Sequence, residues 1–278
     1  MNYRHIYHAG NFCDVMKHIV LMRLVDYLKR KDKPFRVIDT HAGIGIYDLT
    51  SDEAQKTGEW RNGIGRVIST PADARPGPVS AYCDLVSGGE PRAEVKTYPG
   101  SPKIARLLLR PQDRLTLTEL HDADFSTLKE HFRDDHQTKV IHLDGWLALK
   151  SFLPPKEKRG LVLIDPPFEI RNDFDVMATR LSDALRKWQG GTYALWYPIK
   201  DQQSVNTFLR RCRDLPAREG LNLQLCVRND SVSDRLNGSG MVIINPPYIL
   251  AEDLKPTFEF LANHLAQDDH ARYLVNEF

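Results

Sequence analysis

Apolar positions recur at helical spacing near the start of this chain and at strand spacing further along it. The stretch "NFCDVMKHIVLMRLVDYLKRK" at 11–31 predicts a helix, and Asn11 is placed to cap it. The stretch "FRVID" at 35–39 then predicts a first buried strand, followed at once by the turn "THAGIG". The chain therefore opens with a helix that leads into a strand and a tight turn.

From residue 114 onward, predicted strands alternate with predicted helices. The strands are "RLTLTEL", "KVIHLD", "GLVLID", "TYALWYP", "LQLCVR" and "GMVIIN". The first helix among them is expected to be capped by Asp122, and the others lie near 145–152, 174–188, 202–213 and 254–266. Such alternation is typical of a parallel, doubly wound sheet. The last two strands have no helix between them and must pair antiparallel. We expect a Rossmann-like α/β fold with a seven-stranded, mostly parallel sheet whose last strand is antiparallel.

The region 46–112 interrupts this alternation with several Gly and Pro residues. Its clearest element is a helix that starts with "SPKIARLLL", for which Ser101 is the expected N-cap and Pro102 the first helical residue. We interpret 1–278 as one domain, with 46–112 as a partly helical subdomain inserted between the first two strands.

Composition is that of an ordinary globular protein, with 41% hydrophobic and 27% charged residues and a net charge of +1. No apolar run approaches the roughly 18–20 residues that cross a bilayer, and no signal-peptide core is present, so we expect a cytoplasmic protein. The four cysteines form no CxxC pair. Residues 1–36 carry eight Lys or Arg against three Asp, a local charge of +5 that by itself indicates only a solvated helix face.

The predicted strands end in residues that suit a nucleoside ligand. Parallel sheets bind ligands beyond the carboxyl ends of their strands. Asp39 ends the first strand, and Gly43 and Gly45 follow it in a turn that is not a GxGxxG pyrophosphate loop. Glu119 ends the second strand, where a carboxylate accepts ribose hydroxyls, and Asp144–Gly145 end the third, where a carboxylate accepts an adenine amine and also caps a helix.

The fourth strand ends in Asp165-Pro166-Pro167-Phe168. The order of these four strand ends resembles that of class I S-adenosylmethionine-dependent methyltransferases that modify amino nitrogens. The stretches "YRHIYHAGNFCDVMKH" at 3–18, "DTHAG", "YPGSP" at 98–102, "TELH" and "DPPF" together resemble the RlmJ-type 23S ribosomal RNA adenine-N6 methyltransferases. The resemblance covers nearly the whole chain and implies S-adenosylmethionine as cofactor and 23S ribosomal RNA as substrate.

This resemblance also implies site residues. The cofactor contacts would be His18, His41, Ser101, Glu119, Asp144, Gly145 and Asp165. Asp165 would be catalytic and Tyr3 would contact the RNA, to which we also assign Lys17 of the basic segment. Strand-end position alone points only to Glu119, Asp144 and Asp165.

A physical account of the reaction starts from the weak nucleophilicity of an adenine amine, whose lone pair is delocalised into the ring. The Asp165 carboxylate and the Pro166 carbonyl would accept the two N–H bonds, and the prolines would fix these acceptors. In-line positioning would supply several kcal/mol. Asp165 would also take up the departing proton, and Phe168 would stack on the extruded base.

A second tetrapeptide, Asn245-Pro246-Pro247-Tyr248, closes the last predicted strand. Since that strand is expected to run antiparallel, its carboxyl end should point to the opposite edge of the sheet. We therefore expect no chemistry at Asn245.

Several alternatives stay open. A DNA adenine-N6 or cytosine-N4 methyltransferase would use the same DPPF chemistry, whereas Asp165 disfavours a glutamine-modifying enzyme, whose tetrapeptide begins with Asn. A nicotinamide-dependent oxidoreductase would need a fuller glycine pattern, and a non-catalytic RNA-binding protein would not need an intact DPPF and Glu119. The dispersed histidines predict no metal site, and no feature demands a dimer, so we expect a monomer.

Overall fold

The computed structural model of the protein describes residues 4–89, 95–169, 172–217, 219–229 and 235–278. An eight-stranded sheet forms its centre, and a separate pair of short strands accompanies it. The strands are β1 (Arg36–Asp39), β2 (Ile46–Asp48), β3 (Thr97–Pro99), β4 (Arg114–Glu119), β5 (Thr138–His142), β6 (Gly160–Ile164), β7 (Thr192–Ile199), β8 (Gly220–Cys226), β9 (Gly238–Ile244) and β10 (Arg272–Glu277). The α-helices are α1 (Phe12–Lys29), α2 (Asp52–Thr57), α3 (Ile64–Ser69), α4 (Gly77–Ser87), α5 (Ser101–Leu108), α6 (Asp122–His131), α7 (Gly145–Ser151), α8 (Asp173–Lys187), α9 (Gln202–Arg213) and α10 (Leu250–His264).

The strand order of the main sheet is β10-β8-β9-β7-β6-β1-β4-β5. Strands β5, β4, β1, β6 and β7 run parallel, and β9 pairs antiparallel with both β7 and β8. The expected α/β fold with a mostly parallel sheet and an antiparallel final pair is therefore confirmed. Within the described residues the main sheet has eight strands rather than the expected seven, because β10 adds an antiparallel edge strand to β8.

Strand β10 gave no strong sequence signal because it is an edge strand. Its burial pattern is exposed at every position except Val275, so it lacks the apolar alternation by which half-buried strands are recognised. Its pairing with β8 comes from the backbone ladder, which sequence periodicity does not report.

Helix α1 is a core element. Asn11 caps it as predicted, with its side chain accepting from the backbone N–H groups of Cys13 and Asp14. Fourteen of its eighteen residues are buried, and the buried set includes Lys17 and His18. The basic residues of the segment 1–36 are thus divided: Lys17 is buried, Arg23 and Lys29 of the same helix are partly exposed, and Arg30, Lys31 and Lys33 beyond it are exposed.

Between β1 and β4, the chain forms α2 to α4, the β2–β3 pair and α5. Helix α5 packs on α1 and on the main sheet, whereas β2 and β3 form a separate two-stranded sheet among the described residues. Ser101 is not the N-cap of α5 as expected; Gly100 holds that position, and the Ser101 hydroxyl instead donates to Asp39. Likewise His121, not Asp122, caps α6.

Two apolar layers cover the sheet. One contains α1, α4, α5 and α10, and the other contains α7, α8 and α9. Among the described residues, no helix has the length and apolar content that a membrane span requires.

Candidate functional site

Four acidic strand ends meet at the carboxyl edge of the parallel strands. Asp39 ends β1, and Glu119 ends the neighbouring strand β4. Asp144 follows β5 and Asp165 follows β6, which flank these two strands on either side. The structure therefore brings the four predicted carboxylates to one edge of the sheet.

Asp39 is held by Ser101. The Ser101 hydroxyl donates to Asp39 Oδ2 over 2.6 Å, and the backbone N–H of His41 lies 3.3 Å from Oδ1. Burial raises the pKa of Asp39 to about 6, and the charge of Asp165 adds to the rise, whereas the Ser101 hydrogen bond lowers it. Ser101 and Asp39 thus form one buried polar unit at the base of the site.

Glu119 is already engaged by backbone groups. Its Oε2 accepts from the N–H of Gly43 at 2.8 Å, and its Oε1 accepts from the N–H groups of Leu120 and His121 at 2.8 Å. A carboxylate offers about four acceptor positions, so three are filled and one remains on Oε2. The orientation of Glu119 is therefore fixed, with capacity for one further donor.

Asp144 caps α7 through Oδ1, which accepts from the N–H groups of Trp146 and Leu147. Gly145 follows it in very close contact with the loop after β1, because a Cβ at this position would lie 2.3 Å from the Thr40 carbonyl oxygen and 2.7 Å from the His41 ring. Only glycine fits this approach. The contact fixes the third strand end against the first.

His41 has a defined tautomer. Its Nδ1 lies 2.9 Å from the Thr40 hydroxyl oxygen, and that hydroxyl donates to the Leu163 carbonyl oxygen at 3.0 Å. Since the hydroxyl proton is committed to Leu163, His41 Nδ1 must be the donor. Burial lowers the pKa of His41 to about 4, so the ring is neutral near pH 7 and its Nε2 is an acceptor.

Lys17 connects Asp165 to the core. Its ammonium lies 2.5 Å from Asp165 Oδ2 and 2.9 Å from Asp14 Oδ1. The side chain of Lys17 is 4% exposed and that of Asp14 is fully buried, whereas that of Asp165 is 15% exposed. Asp14 also receives hydrogen bonds from His5 Nε2 and from the Gly10 N–H, both at 2.9 Å.

Asp14, Lys17 and Asp165 form a buried row of alternating charges that stabilise one another. Burial lowers the pKa of Lys17, but the carboxylates of Asp14 and Asp165 outweigh burial and hold that pKa well above its usual range. Burial raises the pKa of Asp14, and neighbouring His5 and Lys17 reverse this effect, so that pKa lies well below its usual range. The expected contact of Lys17 with RNA stays a prediction, and its ammonium faces two carboxylates in this structure.

His18 follows Lys17 in α1, one turn after Asp14, and is 1% exposed. Its Nδ1 is 2.7 Å from the Tyr98 hydroxyl, which in turn is 2.7 Å from the Tyr82 hydroxyl. Burial lowers the pKa of His18 to about 3, so this ring is also neutral near pH 7. The contact ties α1 to the "YPGSP" segment that contains Tyr98.

The aromatic residue of the DPPF tetrapeptide has an unusual backbone. Phe168 has φ of 50°, a left-handed conformation that is costly for a bulky side chain and that often marks a functional segment. Its ring packs edge-on against Phe174 at 5.0 Å and Trp196 at 5.7 Å between centroids. Lys17 Nζ is 5.9 Å from the Trp196 ring centroid, so this aromatic cluster adjoins the Lys17–Asp165 pair.

The second tetrapeptide lies at the other edge of the sheet. Asn245 follows β9, and its side-chain amide donates to the carbonyl oxygens of Gln189 and Gly191, which immediately precede β7. Because β9 runs antiparallel to β7, this is the edge at which the parallel strands begin. The expected separation of the two tetrapeptides is found.

Sequence reasoning missed Asp14, His5 and Trp196 around Asp165. The spacing of Asp14 and Lys17 on one helical face was a readable signal for an ion pair. Nothing local in sequence connects either residue to Asp165, which lies 148 positions after Lys17. Tyr3, which the resemblance assigned to RNA, lies outside the described residues.

Comparison with known proteins places this geometry in a family. The family model "Ribosomal RNA large subunit methyltransferase D, RlmJ" matches residues 32–275. "Ribosomal RNA large subunit methyltransferase J" of Escherichia coli strain K12 is 40% identical over 95% of this chain and 94% of its own length. The protein of the same name from Haemophilus influenzae is 40% identical over 99% of this chain and 98% of its own length.

A solved structure agrees along the full chain. The crystal structure of protein LPL1258 from Legionella pneumophila superposes with a TM-score of 0.89 at 34% identity, and the match covers 97% of this chain and 98% of that one. With a family model that matches most of its length and relatives this similar, the chain belongs to the RlmJ family of ribosomal RNA large subunit methyltransferases.

Proposed function

We propose that this protein transfers a methyl group from S-adenosylmethionine to the exocyclic N6 of an adenine in 23S ribosomal RNA. The observation that carries this proposal is the Asp165 carboxylate, which leaves β6 beside two prolines at the same sheet edge as Asp39, Glu119 and Asp144. Membership of the RlmJ family supports the same reaction.

The residues present at this edge fit S-adenosylmethionine in their chemistry. Asp144 uses Oδ1 to cap α7, so Oδ2 is placed to accept from an adenine amine. Glu119 retains one acceptor position, which suits one ribose hydroxyl rather than the two expected from sequence. The Asp39–Ser101 unit and the acceptor Nε2 of His41 offer partners for the cationic amino end of the cofactor.

His18 would act from behind these groups. Its ring is 1% exposed and its Nδ1 is engaged by Tyr98, so a cofactor contact would have to come through Nε2. This assignment, like those of Ser101, His41 and Gly145, is part of the proposal.

When bound, the cofactor supplies a methyl group on a sulfonium with a good leaving group. The protein's own task is to present the adenine amine. Asp165 Oδ2 is taken by Lys17, which leaves Oδ1 to accept one amine N–H while the Pro166 carbonyl accepts the other. Lys17 thereby holds the carboxylate in one orientation, and positioning of this kind contributes several kcal/mol to catalysis.

Phe168 would hold the target base. Its ring is anchored on one side by Phe174 and Trp196, which leaves the left-handed backbone to direct the free side towards the base. Stacking of a base on an aromatic side chain is worth roughly 1–3 kcal/mol and offsets part of the cost of extruding the base. A monomeric state and a cytoplasmic location remain predictions.

Methyl transfer with labelled cofactor tests the proposal. The substrates are 23S ribosomal RNA from cells that lack this protein and, in parallel, unmethylated DNA of matched sequence. We expect label in N6-methyladenosine of the RNA and none in DNA. Label that appears only in DNA, or on a cytosine, would contradict the assignment.

The chain provides a matched control for the catalytic residue. We expect Asp165→Ala to lower the rate by on the order of 100-fold or more, the range of a lost acid–base or positioning group. Asn245→Ala should keep most of the activity. Asn245→Gly serves as a second control, because glycine adopts the φ of 53° at this position without strain. Equal loss in the two variants, at unchanged melting temperature, would overturn the role given to Asp165.

A further inference from the structure

Three loops meet at the edge of the sheet opposite the candidate site. The loop after α1 leads into β1, the segment 110–113 leads into β4, and the segment 156–159 leads into β6. These three strands are neighbours and run parallel, with Arg36 in register with both Arg114 and Gly160. Parallel pairing therefore brings the three loops to one place.

These loops concentrate positive charge. Residues 26–36, 110–114 and 156–159 contain ten Lys or Arg and four Asp or Glu, a local charge of +6. The whole chain has a net charge of +1, so the remainder carries −5. We call this surface the basic edge and define it by those three segments.

Two arginines fix the shape of the basic edge. The Arg110 guanidinium donates to the carbonyl oxygens of Lys31 at 3.0 Å and Lys33 at 3.2 Å, and Arg159 donates to that of Lys33 at 2.9 Å. Both guanidiniums lie over the Phe35 ring, at 5.5 and 5.7 Å from its centroid. The loop backbone is thus held by arginines, while the side chains of Lys31, Lys33 and Lys158 are exposed.

The acidic residues of the basic edge are mostly engaged within it. Asp113 is fully buried and pairs with Arg110 at 2.9 Å, and Glu157 pairs with Arg36 at 2.9 Å. The exposed lysines therefore dominate what an approaching ligand meets. A fixed loop with outward cations is suited to a polyanion with regular charge spacing.

An aromatic cleft adjoins the basic edge. A cavity of about 250 Å³ is lined by Tyr27, Arg30 and Pro247 and by Arg23, which is ion-paired with Asp26 and Asp253. Arg30 lies over the Tyr27 ring at 5.4 Å from its centroid. Tyr248 of the second tetrapeptide meets Tyr27 edge-on at 6.3 Å and is 77% exposed. The prolines of that tetrapeptide hold an aromatic ring out into solvent beside Tyr27, which belongs to the basic edge.

We propose that the basic edge and its aromatic cleft form a second RNA-binding surface, which holds a single-stranded segment remote from the target adenine. Lys31, Lys33 and Lys158 bind phosphates, and Tyr248 with Tyr27 stacks a base. A cationic track flanked by aromatic rings is the arrangement that binds single strands without reading their sequence. The inference rests on the proposed function, because it gives the enzyme's RNA a second point of attachment.

The distance between the two surfaces determines which RNA substrates can bind both of them. Helix α1 runs from Lys17 at the catalytic edge towards Lys29 at the basic edge, and the twelve-residue step between them corresponds to about 18 Å along the helix axis. A short oligonucleotide bound at Asp165 would not reach across this distance. A long RNA would contact both edges and gain affinity without a change in the chemical step.

Binding of a labelled single-stranded RNA, measured by fluorescence anisotropy over a salt series, tests the phosphate contacts. The variant is Lys31→Glu with Lys33→Glu and Lys158→Glu. We expect at least about tenfold weaker binding at low salt, and a slope of log affinity against log salt that is smaller by about 2, since each single-strand phosphate contact contributes about 0.7. The affinity for S-adenosylhomocysteine should not change.

The matched control reverses three exposed charges on the other helical layer, as Arg186→Glu, Lys187→Glu and Arg210→Glu on α8 and α9. It changes the net charge equally and should leave the salt slope as in the wild type. Equal weakening in both variants would reduce the effect to net charge and overturn the proposed surface.

Tyr248 tests the stacking contact. Tyr248→Ala should weaken single-stranded RNA binding about fivefold or more, the equivalent of at least 1 kcal/mol of lost stacking, and Tyr248→Phe should restore it. An unchanged affinity in Tyr248→Ala would remove the aromatic cleft from the proposal. Preference for duplex RNA over the single strand would overturn its single-strand specificity.

Methyl-transfer kinetics separate this inference from the proposed function. For a long 23S RNA fragment, the triple lysine variant should show a KM raised about tenfold with kcat unchanged, and for a short oligonucleotide it should match the wild type. A lowered kcat with both substrates would contradict a remote surface. A wild-type protein that methylates no RNA would refute the proposed function, whereas the binding measurements would still report on the basic edge.

Discussion

Replacing Lys17 by Met tests the buried row of charges that reaches Asp165. Methionine has nearly the same length as lysine, so the substitution removes the ammonium and leaves little cavity. It leaves two carboxylates without their cation: Asp14, which is fully buried and lies 2.9 Å from the ammonium, and Asp165, which is 15% exposed and lies 2.5 Å from it. The folded state then contains two neighbouring carboxylates in a poorly solvated place.

The magnitude follows from the burial. Removing one partner of a buried ion pair costs about 3–5 kcal/mol, because the other charge is left uncompensated. The Gly10 N–H and His5 still serve Asp14, so we expect the lower half of this range rather than more. At roughly 2–4 °C per kcal/mol for a chain of this size class, the melting temperature should fall by about 6–16 °C.

The pH dependence gives the prediction its sign. In the wild type the pKa of Asp14 is depressed, so its contribution to stability is present above the unfolded-state pKa and is lost as the pH falls through the folded-state pKa. Without Lys17 that pKa rises, and the carboxyl can protonate in mild acid. The deficit of the variant should therefore be largest near pH 8 and should shrink towards pH 5.

Urea unfolding at pH 5, 6.5 and 8 measures this difference, and Lys29→Met serves as control because Lys29 makes only a partly exposed pair with Asp26. The control should lie within about 1 kcal/mol of the wild type. A Lys17→Met deficit below about 1 kcal/mol, or one that is constant with pH, would refute the reasoning that the ammonium compensates buried carboxylates.

Three further substitutions test the site around Asp165. Ser101→Ala should cost about 1–3 kcal/mol at pH 8 and less at pH 5 in urea unfolding, because the pKa of Asp39 is about 6 and its protonated form needs the hydrogen bond less. Phe168→Ala should lower kcat/KM for RNA by about tenfold through lost stacking, with S-adenosylhomocysteine affinity retained in calorimetry. Gly145→Ala should weaken that affinity at least about tenfold, since its Cβ would overlap backbone, whereas Gly190→Ala, with open space around it, should not.

The sequence was a good guide wherever position along a strand decides place in the fold. The carboxyl ends of parallel strands share one edge, so the sequence alone assigns Asp39, Glu119, Asp144 and Asp165 to the same edge of the sheet. The hydrogen bonds that orient these carboxylates could not be predicted from sequence spacing. Three backbone N–H groups converge on Glu119, and that convergence depends on how the loops after β1 and β4 pack together.

Ser101 illustrates the limit of local rules. A Ser before a Pro at the start of an apolar helical pattern is a good N-cap by propensity. In the fold, Gly100 takes the cap position and the Ser101 hydroxyl turns to Asp39, 62 residues earlier in the chain. A buried carboxyl without a donor would cost more than an uncapped helix end, so the tertiary contact outweighs the local preference.

The same balance explains why Lys17, which the sequence assigns to the RNA, lies inside the protein. Counting Lys and Arg over 1–36 treats every charge as solvated. Lys17 is buried instead, because Asp14 on the preceding turn and Asp165 from a distant strand end both neutralise it. The charges that do face solvent cluster after Lys29, where the helix has ended and two other loops add to them.

The two tetrapeptides have similar sequences but different backbone conformations, and they follow strands that run in opposite directions. In the first, the left-handed residue is Phe168, with φ of 50°; in the second it is Asn245, with φ of 53°. Asn tolerates this conformation readily, and its side-chain amide donates to two carbonyl oxygens. Asn245 therefore ends β9 and turns the chain. A phenylalanine gains nothing local from it, so the surrounding structure must hold it, and the rings of Phe174 and Trp196 pack against Phe168. The direction of the preceding strand thus decides that the first tetrapeptide places the Asp165 carboxylate at the candidate site, whereas the second places Tyr248 at the opposite edge of the sheet.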